Sequence, residues 1–511
     1  MIHLETKVKL PFLWGKTAFK KDCWNQVNLI VGPNGSGKTL LAEELAKFFK
    51  KAGYQVDFLR SDRYEQESSL AVIKENAVVR EKIESVISNM FGKSIRFEQL
   101  SDGSYVPMVE NKTRGVEYNL REGECHGLKE ILKLLVALYS HKKGCLIVDE
   151  PELHLHPQFQ QFFMNEIRRT AEKEPSRVFF LITHSPYFID LRFPEDLIGV
   201  VVCHVNRVPT HIENLDEKDE ILFRKFLPRF NTYHKQFFFS DNQIFVEGYT
   251  DQQMFTNLLC CIEDNVGSAG TGIIDVGGKD ELGVFFKVCT LLGTDGRIIT
   301  DLDSLFCGKL RDMICEDERP QNWLEKQYEK QLPFFASLFS DKEIESKINL
   351  EKLIIRLERF LTAIGKHICS IDSKISLEVD LFVEKVKALC DKYEKPETLD
   401  TFKTVILMGV LDLNKELERM LPVSLAQTIV PVINLFRLIL AASEAARVYI
   451  LPKGCIEHFY TQNKVYYMPV SAKDRLFHAE FEFMINCTPQ RLRKNYPTLV
   501  SILHRACLRE V

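Results

Sequence analysis

Gly32-Pro33-Asn34-Gly35-Ser36-Gly37-Lys38-Thr39 decides how the first half of the chain is read. Its glycines let the backbone curl until successive N–H groups face a phosphate chain. Asn34, Gly35, Ser36 and Gly37 form the cradle, Lys38 is long enough to reach the outer phosphates, and the Thr39 hydroxyl suits a magnesium ion. Val27-Asn28-Leu29-Ile30-Val31 before the loop is an apolar β run, and Leu40 to Lys50 after it reads as a helix. The loop therefore sits at a helix N-terminus, whose partial positive charge favours an anion. Strand, glycine turn and helix in this order predict an α/β domain with a largely parallel sheet.

Two further strands end in chemistry. Cys145-Leu146-Ile147-Val148 runs into Asp149 and Glu150, the first expected to hold a magnesium water shell and the second to polarise an attacking water. Val178 to Ile182 runs into Thr183-His184-Ser185-Pro186, with His184 expected at a γ-phosphate. These pieces, in this order, resemble the ABC-type ATPases. Asn119-Leu120-Arg121-Glu122-Gly123-Glu124 resembles the signature loop of that family, which caps the nucleotide of a facing subunit. Gly123 carries over, while Arg121 stands where a serine is expected, which puts the turnover rate in doubt more than binding. Gln66 is offered for the Q-loop, although Arg60 to Gln66 reads better as a solvated loop. The resemblance implies ATP with Mg2+, held by Thr39 and Asp149, and a homodimer or larger assembly.

A smaller β-α-β-α-β pattern follows. Gln243-Ile244-Phe245-Val246 ends in Glu247, Asp251 opens the next helix, Gly272 to Val276 is a second strand, and Arg297-Ile298-Ile299-Thr300 ends in Asp301 and Asp303. Asp301 and Asp303, two apart at a strand end, are expected to point to one side. Ligands of open α/β sheets bind outside the carboxyl ends of the strands. Carboxylates converging there repel unless cations lie between them, which suits Mg2+ or Mn2+ with oxygen ligands. Two such ions roughly 4 Å apart would serve phosphodiester hydrolysis. The combination, with Gly277-Gly278-Lys279, resembles the TOPRIM fold of topoisomerases, primases and OLD (overcoming lysogenization defect) nucleases. In that resemblance Leu451 to His458 returns a glutamate, Glu457, to the metal site, and a lysine stabilises the transition state, Lys473 before Lys453.

The fold class is therefore α/β, with an ABC-type ATPase domain at 1–235 and a TOPRIM domain at 236–310 and 445–511. Residues 311–444 lose their glycines and repeat apolar residues at helix spacing, as in Leu353, Leu357, Leu361 and Ile364, so they read as a helical insertion. With 511 residues and a net charge of -4, a general electrostatic grip on nucleic acid is not the design. A local patch at Arg491, Arg493, Lys494, His504, Arg505 and Arg509 is available, and reads equally as a solvated helix face. The 14 cysteines show no C-x-x-C pair and are expected to be reduced. No signal-peptide pattern opens the chain, and Ile429 to Ala442 is short for a membrane span and interrupted by Arg437, so a cytoplasmic protein without a membrane partner is expected.

Asp149-Glu150-Pro151-Glu152-Leu153-His154-Leu155-His156-Pro157, with Thr183-His184-Ser185-Pro186, is similar to the ATPases of the OLD family. The resemblance places His154 and His156 in the D-loop at a dimer interface rather than on a metal. It implies an ATP-regulated, metal-dependent DNA endonuclease and a role in defence against phage, as in Gabija-like and retron-associated systems. A reverse transcriptase or RNA–DNA hybrid would then be a partner, docking on the insertion. The rival is an ATP-driven DNA clamp with a silent TOPRIM domain, against which the intact Glu247, Asp301 and Asp303 argue.

Overall fold

The computed structural model describes residues 2–62, 76–88, 92–101, 105–140, 144–239, 242–262, 271–294, 296–329, 348–371, 376–390 and 396–507. Gln66, Arg509 and the Arg121 side chain lie outside them. The chain divides into two compact units, Met1–Asp241 with Leu291–Thr294, and Asn242–Thr290 with Asp295–Val511.

The strands of the first unit are β1 (Ile2–Val8), β2 (Phe19–Trp24), β3 (Val27–Val31), β4 (Val56–Leu59), β5 (Lys93–Gln99), β6 (Tyr105–Asn111), β7 (Val116–Asn119), β8 (Cys145–Asp149), β9 (Val178–Ile182), β10 (Val200–His204) and β11 (Arg207–His211). Six of them form a sheet in the order β11-β10-β3-β9-β8-β4, parallel except for the β10–β11 pair. β8 and β9 are apolar without alternation because both faces of a parallel sheet are covered, and every residue in them is buried. Helix Lys38–Lys51 buries Leu41, Ala42, Leu45, Ala46 and Phe49. Phe49 meets Phe180 of β9 edge-on at 5.2 Å and Trp24 at 6.3 Å, so the helix carrying the phosphate loop is locked to the sheet. β1 pairs with β2, and β5, β6 and β7 form a separate antiparallel sheet.

In the second unit β12 (Asn242–Val246), β13 (Thr271–Asp275), β14 (Gly296–Thr300) and β15 (Val448–Ile450) form a wholly parallel sheet in the order β13-β12-β14-β15. The described residues between β14 and β15 include the helices Leu350–Cys369, Leu377–Cys390, Pro396–Asp412 and Ile429–Ala445. Leu353, Leu357, Leu361 and Ile364 are all fully buried, as their spacing requires. C-terminal helices then cover the sheet, with Leu499, Leu503 and Ala506 in the core that holds Ile244 and Met254.

Two expectations need correction. Cys369 and Cys390 are bonded, because they close the ends of consecutive helices and their Cα atoms lie 6.4 Å apart. The apolar stretch extends from Val423 to Ala445, 23 residues with mean hydropathy 1.8, long and apolar enough by composition to cross a membrane. Here it packs inward through Ile429, Val432, Leu435, Phe436 and Ile439. The basic C-terminal run is partly engaged internally: Arg493 Nε donates to the Cys261 carbonyl at 2.9 Å, and Arg505 pairs with Glu444 at 2.8 Å.

Candidate functional site

The first centre is the phosphate loop. Gly32 has φ 138°, and a Cβ there would fall 2.2 Å from the Cys203 carbonyl oxygen on β10, so only glycine fits. Gly37, at φ 83°, opens helix Lys38–Lys51 in a left-handed conformation. Lys38 Nζ folds back across its own loop and donates to the carbonyls of Gly32 (3.0 Å) and Pro33 (2.8 Å). Burial lowers its pKa, and the charges of Asp149, Glu150 and Glu152 counteract that. Thr39 Oγ1 donates to Asp149 Oδ2 at 2.9 Å, which pairs the two groups expected to share a magnesium ion.

β8 and β9 run parallel with Asp149 opposite Ile182, so Asp149-Glu150 and Thr183-His184 emerge at the same sheet edge. Glu150 has φ 48°, a conformation costing about 1–3 kcal/mol for a non-glycine residue and concentrated at functional sites. Its N–H donates to the Ile182 carbonyl at 2.8 Å, which holds it there. Burial, then the Lys38 charge, pushes the His184 pKa down to about 4, so the imidazole is neutral at pH 7. His156 caps helix Pro157–Lys173, and the His154 ring lies 5.9 Å from that of His126.

The signature-like loop is a short helix, Leu120–Gly123, after β7. A Cβ at Gly123 would strike the Tyr118 ring at 2.7 Å, which gives this glycine a local packing reason as well. Glu124 joins Lys93 at 2.6 Å and Tyr118 at 2.7 Å. Burial raises its pKa, but the Lys93, Cys125 and Tyr118 hydrogen bonds outweigh this and bring it down to about 2.

Glu152 escaped the sequence reading as a site residue. Its carboxylate accepts from Thr183 Oγ1 (2.8 Å) and the His184 N–H (2.6 Å), so it sets the turn that presents His184. Nothing in Pro151-Glu152-Leu153 signals a partner 31 residues away. Glu152→Ala leaves a buried hydroxyl and a peptide N–H without their acceptor, which is expected to cost about 1–3 kcal/mol. Urea unfolding of the full chain measures that loss, and ATP turnover is expected to fall with it.

The second centre lies at the carboxyl ends of β12 and β14. Glu247, Asp301 and Asp303 each offer a carboxylate oxygen within 4.8 Å of the others. The juxtaposition arises differently from the expectation. β14 ends at Thr300, and Asp303 is on a 3-10 turn, Leu302–Leu305, not on the strand. The turn, rather than strand alternation, brings Asp303 back beside Asp301. Glu247 is fixed by hydrogen bonds from Thr300 Oγ1 (2.8 Å) and the Asp301 N–H (3.2 Å), and Asp303 pairs with Lys279 at 2.8 Å.

Asp251 and Glu457 stand around this trio rather than within it. Burial first, then Glu247 and Glu457, pushes the Asp251 pKa up to about 7. Asp301 is raised well above the usual carboxyl range by burial and by Glu247, Asp251, Asp303 and Glu457. Glu457 is 1% exposed and pairs with Lys473 at 2.9 Å. Lys453 is exposed and makes no such pair with Glu457. A fully buried Glu480, also missed, accepts from the N–H groups of Thr461 (2.6 Å) and Gln462 (2.8 Å) and from the Tyr496 hydroxyl. It ties the chain just after Glu457 to the helix that begins at Lys473.

Five acids with so few cations fit divalent metal: the oxygen donors are hard, close and mutually repelling. Metal binding must displace protons from the raised carboxyls, so affinity is expected to rise with pH. The sign for folding agrees. An acid whose folded pKa is raised contributes stability below its unfolded value that is lost as pH climbs through about 7 for Asp251. Mn2+ is thus expected to raise the melting temperature more at about pH 8 than at about pH 6. An equal shift at both would contradict this electrostatic account.

Comparison with known proteins finds one family model in each of two regions of the chain. The AAA_21 model of AAA domains matches residues 52–190, and the TOPRIM-domain model described as overcoming lysogenization defect protein-like matches residues 238–303. An OLD nuclease of Thermus scotoductus (strain ATCC 700910 / SA-01) is 30% identical over 168 residues, 32% of this chain and 32% of its own. Endonuclease GajA of Bacillus cereus (strain HuB5-5) is 26% identical over 193 residues, 32% of this chain and 27% of its own. The chain thus aligns to about a third of the length of these relatives. The SMC head domain from Thermotoga maritima overlaps 42% of this chain and 100% of its own at 13% identity and a TM-score of 0.30. The chain joins a region that matches an AAA_21-type ATPase domain to one that matches an OLD-like TOPRIM domain, and its matched relatives are an OLD nuclease and an endonuclease.

Proposed function

We propose that this chain is an ATP-regulated, divalent-metal-dependent DNA endonuclease. The observation that carries the reading is the trio Glu247, Asp301 and Asp303, with ligand oxygens within 4.8 Å, at the carboxyl edge of a parallel sheet. Mg2+ or Mn2+ held there would supply Lewis-acid activation of a phosphodiester and of water. The chain's own groups do the rest. Glu247 is pre-oriented by Thr300 and the Asp301 N–H. Lys473, paired with Glu457, brings a cation beside the cluster, where negative charge grows as the phosphorus is attacked. Burial lowers the Lys473 pKa, but Glu457 more than reverses this and holds it above its ordinary value, so it stays charged throughout.

At the other centre, Lys38 and Thr39 would hold the phosphates and Mg2+ of ATP, Asp149 the metal's water, and Glu150 and His184 the hydrolytic water and γ-phosphate. Gly123 would contribute from a facing subunit, which makes the working form a homodimer or larger. Placement in the cytoplasm as a phage-defence effector, with a reverse transcriptase or RNA–DNA hybrid on the 311–444 helices, completes the reading. It is supported by the likeness to endonuclease GajA. The test is nicking of supercoiled plasmid with Mg2+ or Mn2+, with and without ATP, alone and with a defence-system partner. Absence of cutting in every arm would falsify the nuclease assignment and leave the ATP-driven clamp.

A further inference from the structure

The second unit holds another concave site. A cavity of about 290 Å3 opens between the C-terminal end of helix Pro396–Asp412 and the segment from Lys453 to Tyr467. Its wall includes Asp412, Lys453, His458, Lys464, Tyr466 and Tyr467. That volume is at the small end of ligand sites and suits one ligand of nucleotide size.

Its polar groups are complementary to a base and a phosphate. His458 Nδ1 lies 3.0 Å from the Cys455 N–H and 3.3 Å from the Cys455 carbonyl oxygen, so the ring is held against its own turn. Nε2 is buried and has no hydrogen-bond partner among the described residues. Asp412 is exposed on the wall of this cavity and makes no hydrogen bond or close ion pair among the described residues. It offers an acceptor to an amino or imino edge. The Tyr467 ring is braced by Phe382 at 5.6 Å, and the Lys464 ammonium lies 4.8 Å from the centre of the Tyr466 ring and 3.8 Å from Glu378. A simple anion would meet Asp412 unfavourably, and an aliphatic acid would leave the aromatic rings unused.

We propose that this cavity binds one nucleotide unit, with the base between the tyrosines against Asp412 and His458, and the phosphate at Lys453 and Lys464. His458 directly follows Glu457. A strand engaged at the carboxylate cluster therefore has a neighbouring nucleotide within reach of the cavity. The strand as source rests on the nuclease reading; the binding chemistry does not.

The test uses the full chain without divalent metal, so that binding is read apart from cutting. A labelled single-stranded oligonucleotide of roughly 12 residues and a deoxynucleoside monophosphate are titrated in separate arms. Asp412→Ala and Tyr467→Ala are each expected to weaken binding by about tenfold. Loss confined to the oligonucleotide arm assigns the cavity to a strand, and loss in the mononucleotide arm assigns it to a free nucleotide. Because either variant can misfold, acylation of Lys453 and Lys464 is also read by mass spectrometry in the wild-type chain, where ligand is expected to protect both. Variants that bind both ligands within about twofold of wild type, or lysines that neither ligand protects, overturn the proposal. Binding that survives while no DNA is ever cut counts against the nuclease reading alone.

Discussion

Asp301→Asn is expected to lower metal-dependent DNA cutting by about a hundred- to a thousandfold and, at the same time, to raise the melting temperature of the metal-free protein. The first effect follows from the removal of one anionic ligand among three whose oxygens lie within 4.8 Å. Metal contributes several kcal/mol of charge stabilisation, and each 1.4 kcal/mol is about a factor of ten in rate. The second follows from the repulsion that the same cluster carries without metal. Asp301 is raised by burial and by four surrounding acids, so ionising it in the folded chain is unfavourable. A neutral amide of the same shape removes that cost while leaving the Asp301 N–H on Glu247 in place. Plasmid nicking measures the first effect and scanning calorimetry in EDTA the second. A variant that cuts normally would remove Asp301 from the site. One that loses activity only because its melting temperature collapses would make the residue structural. Asp303→Ala serves as the companion, and there the lost ion pair to Lys279 offsets the relief of repulsion.

How much of this was legible in the sequence follows from how local each cause is. The phosphate loop is a contiguous code, so Gly32, Gly37, Lys38 and Thr39 could be read directly. Asp149 and His184 could be read because each ends a continuous apolar run, and neighbouring parallel strands bring their carboxyl ends together. Glu247 and Asp301 share that logic. Asp303 belongs to the expected neighbourhood for a different reason, since strand periodicity does not extend to a residue three places past the strand end at Thr300. Glu152 and Glu480 were out of reach: each acts through hydrogen bonds to chain 16 to 32 residues away. No residue type or spacing announces such a bond. Cys369 and Cys390 were missed because a pairing between helix ends depends on a helix–helix crossing that composition does not encode.

Lys38→Ala is expected to weaken ATP binding by at least about a hundredfold and to make cutting equal with and without ATP. Hydrogen bonds to charged groups contribute about 1.5–3 kcal/mol each, and 2.7 kcal/mol is a hundredfold in affinity. The lysine is held in readiness rather than in solution. Its ammonium rests on the carbonyls of Gly32 and Pro33, partly buried, with Asp149, Glu150 and Glu152 as the charges that offset its desolvation. Arrival of triphosphate replaces weak carbonyl acceptors with anionic ones at little cost in side-chain entropy. The same burial limits what the substitution does to folding, because the lost interactions are partly balanced by relief of a desolvated charge. Binding of a fluorescent ATP analogue gives the affinity, and plasmid nicking over an ATP titration gives the coupling. The outcome that matters most is the second. The phosphate loop and the Glu247–Asp301–Asp303 trio lie in separate compact units, and the ATP titration reads whether the first acts on the second. If the variant loses ATP binding yet still cuts in an ATP-dependent way, the nucleotide acts elsewhere, and the loop is not the control element.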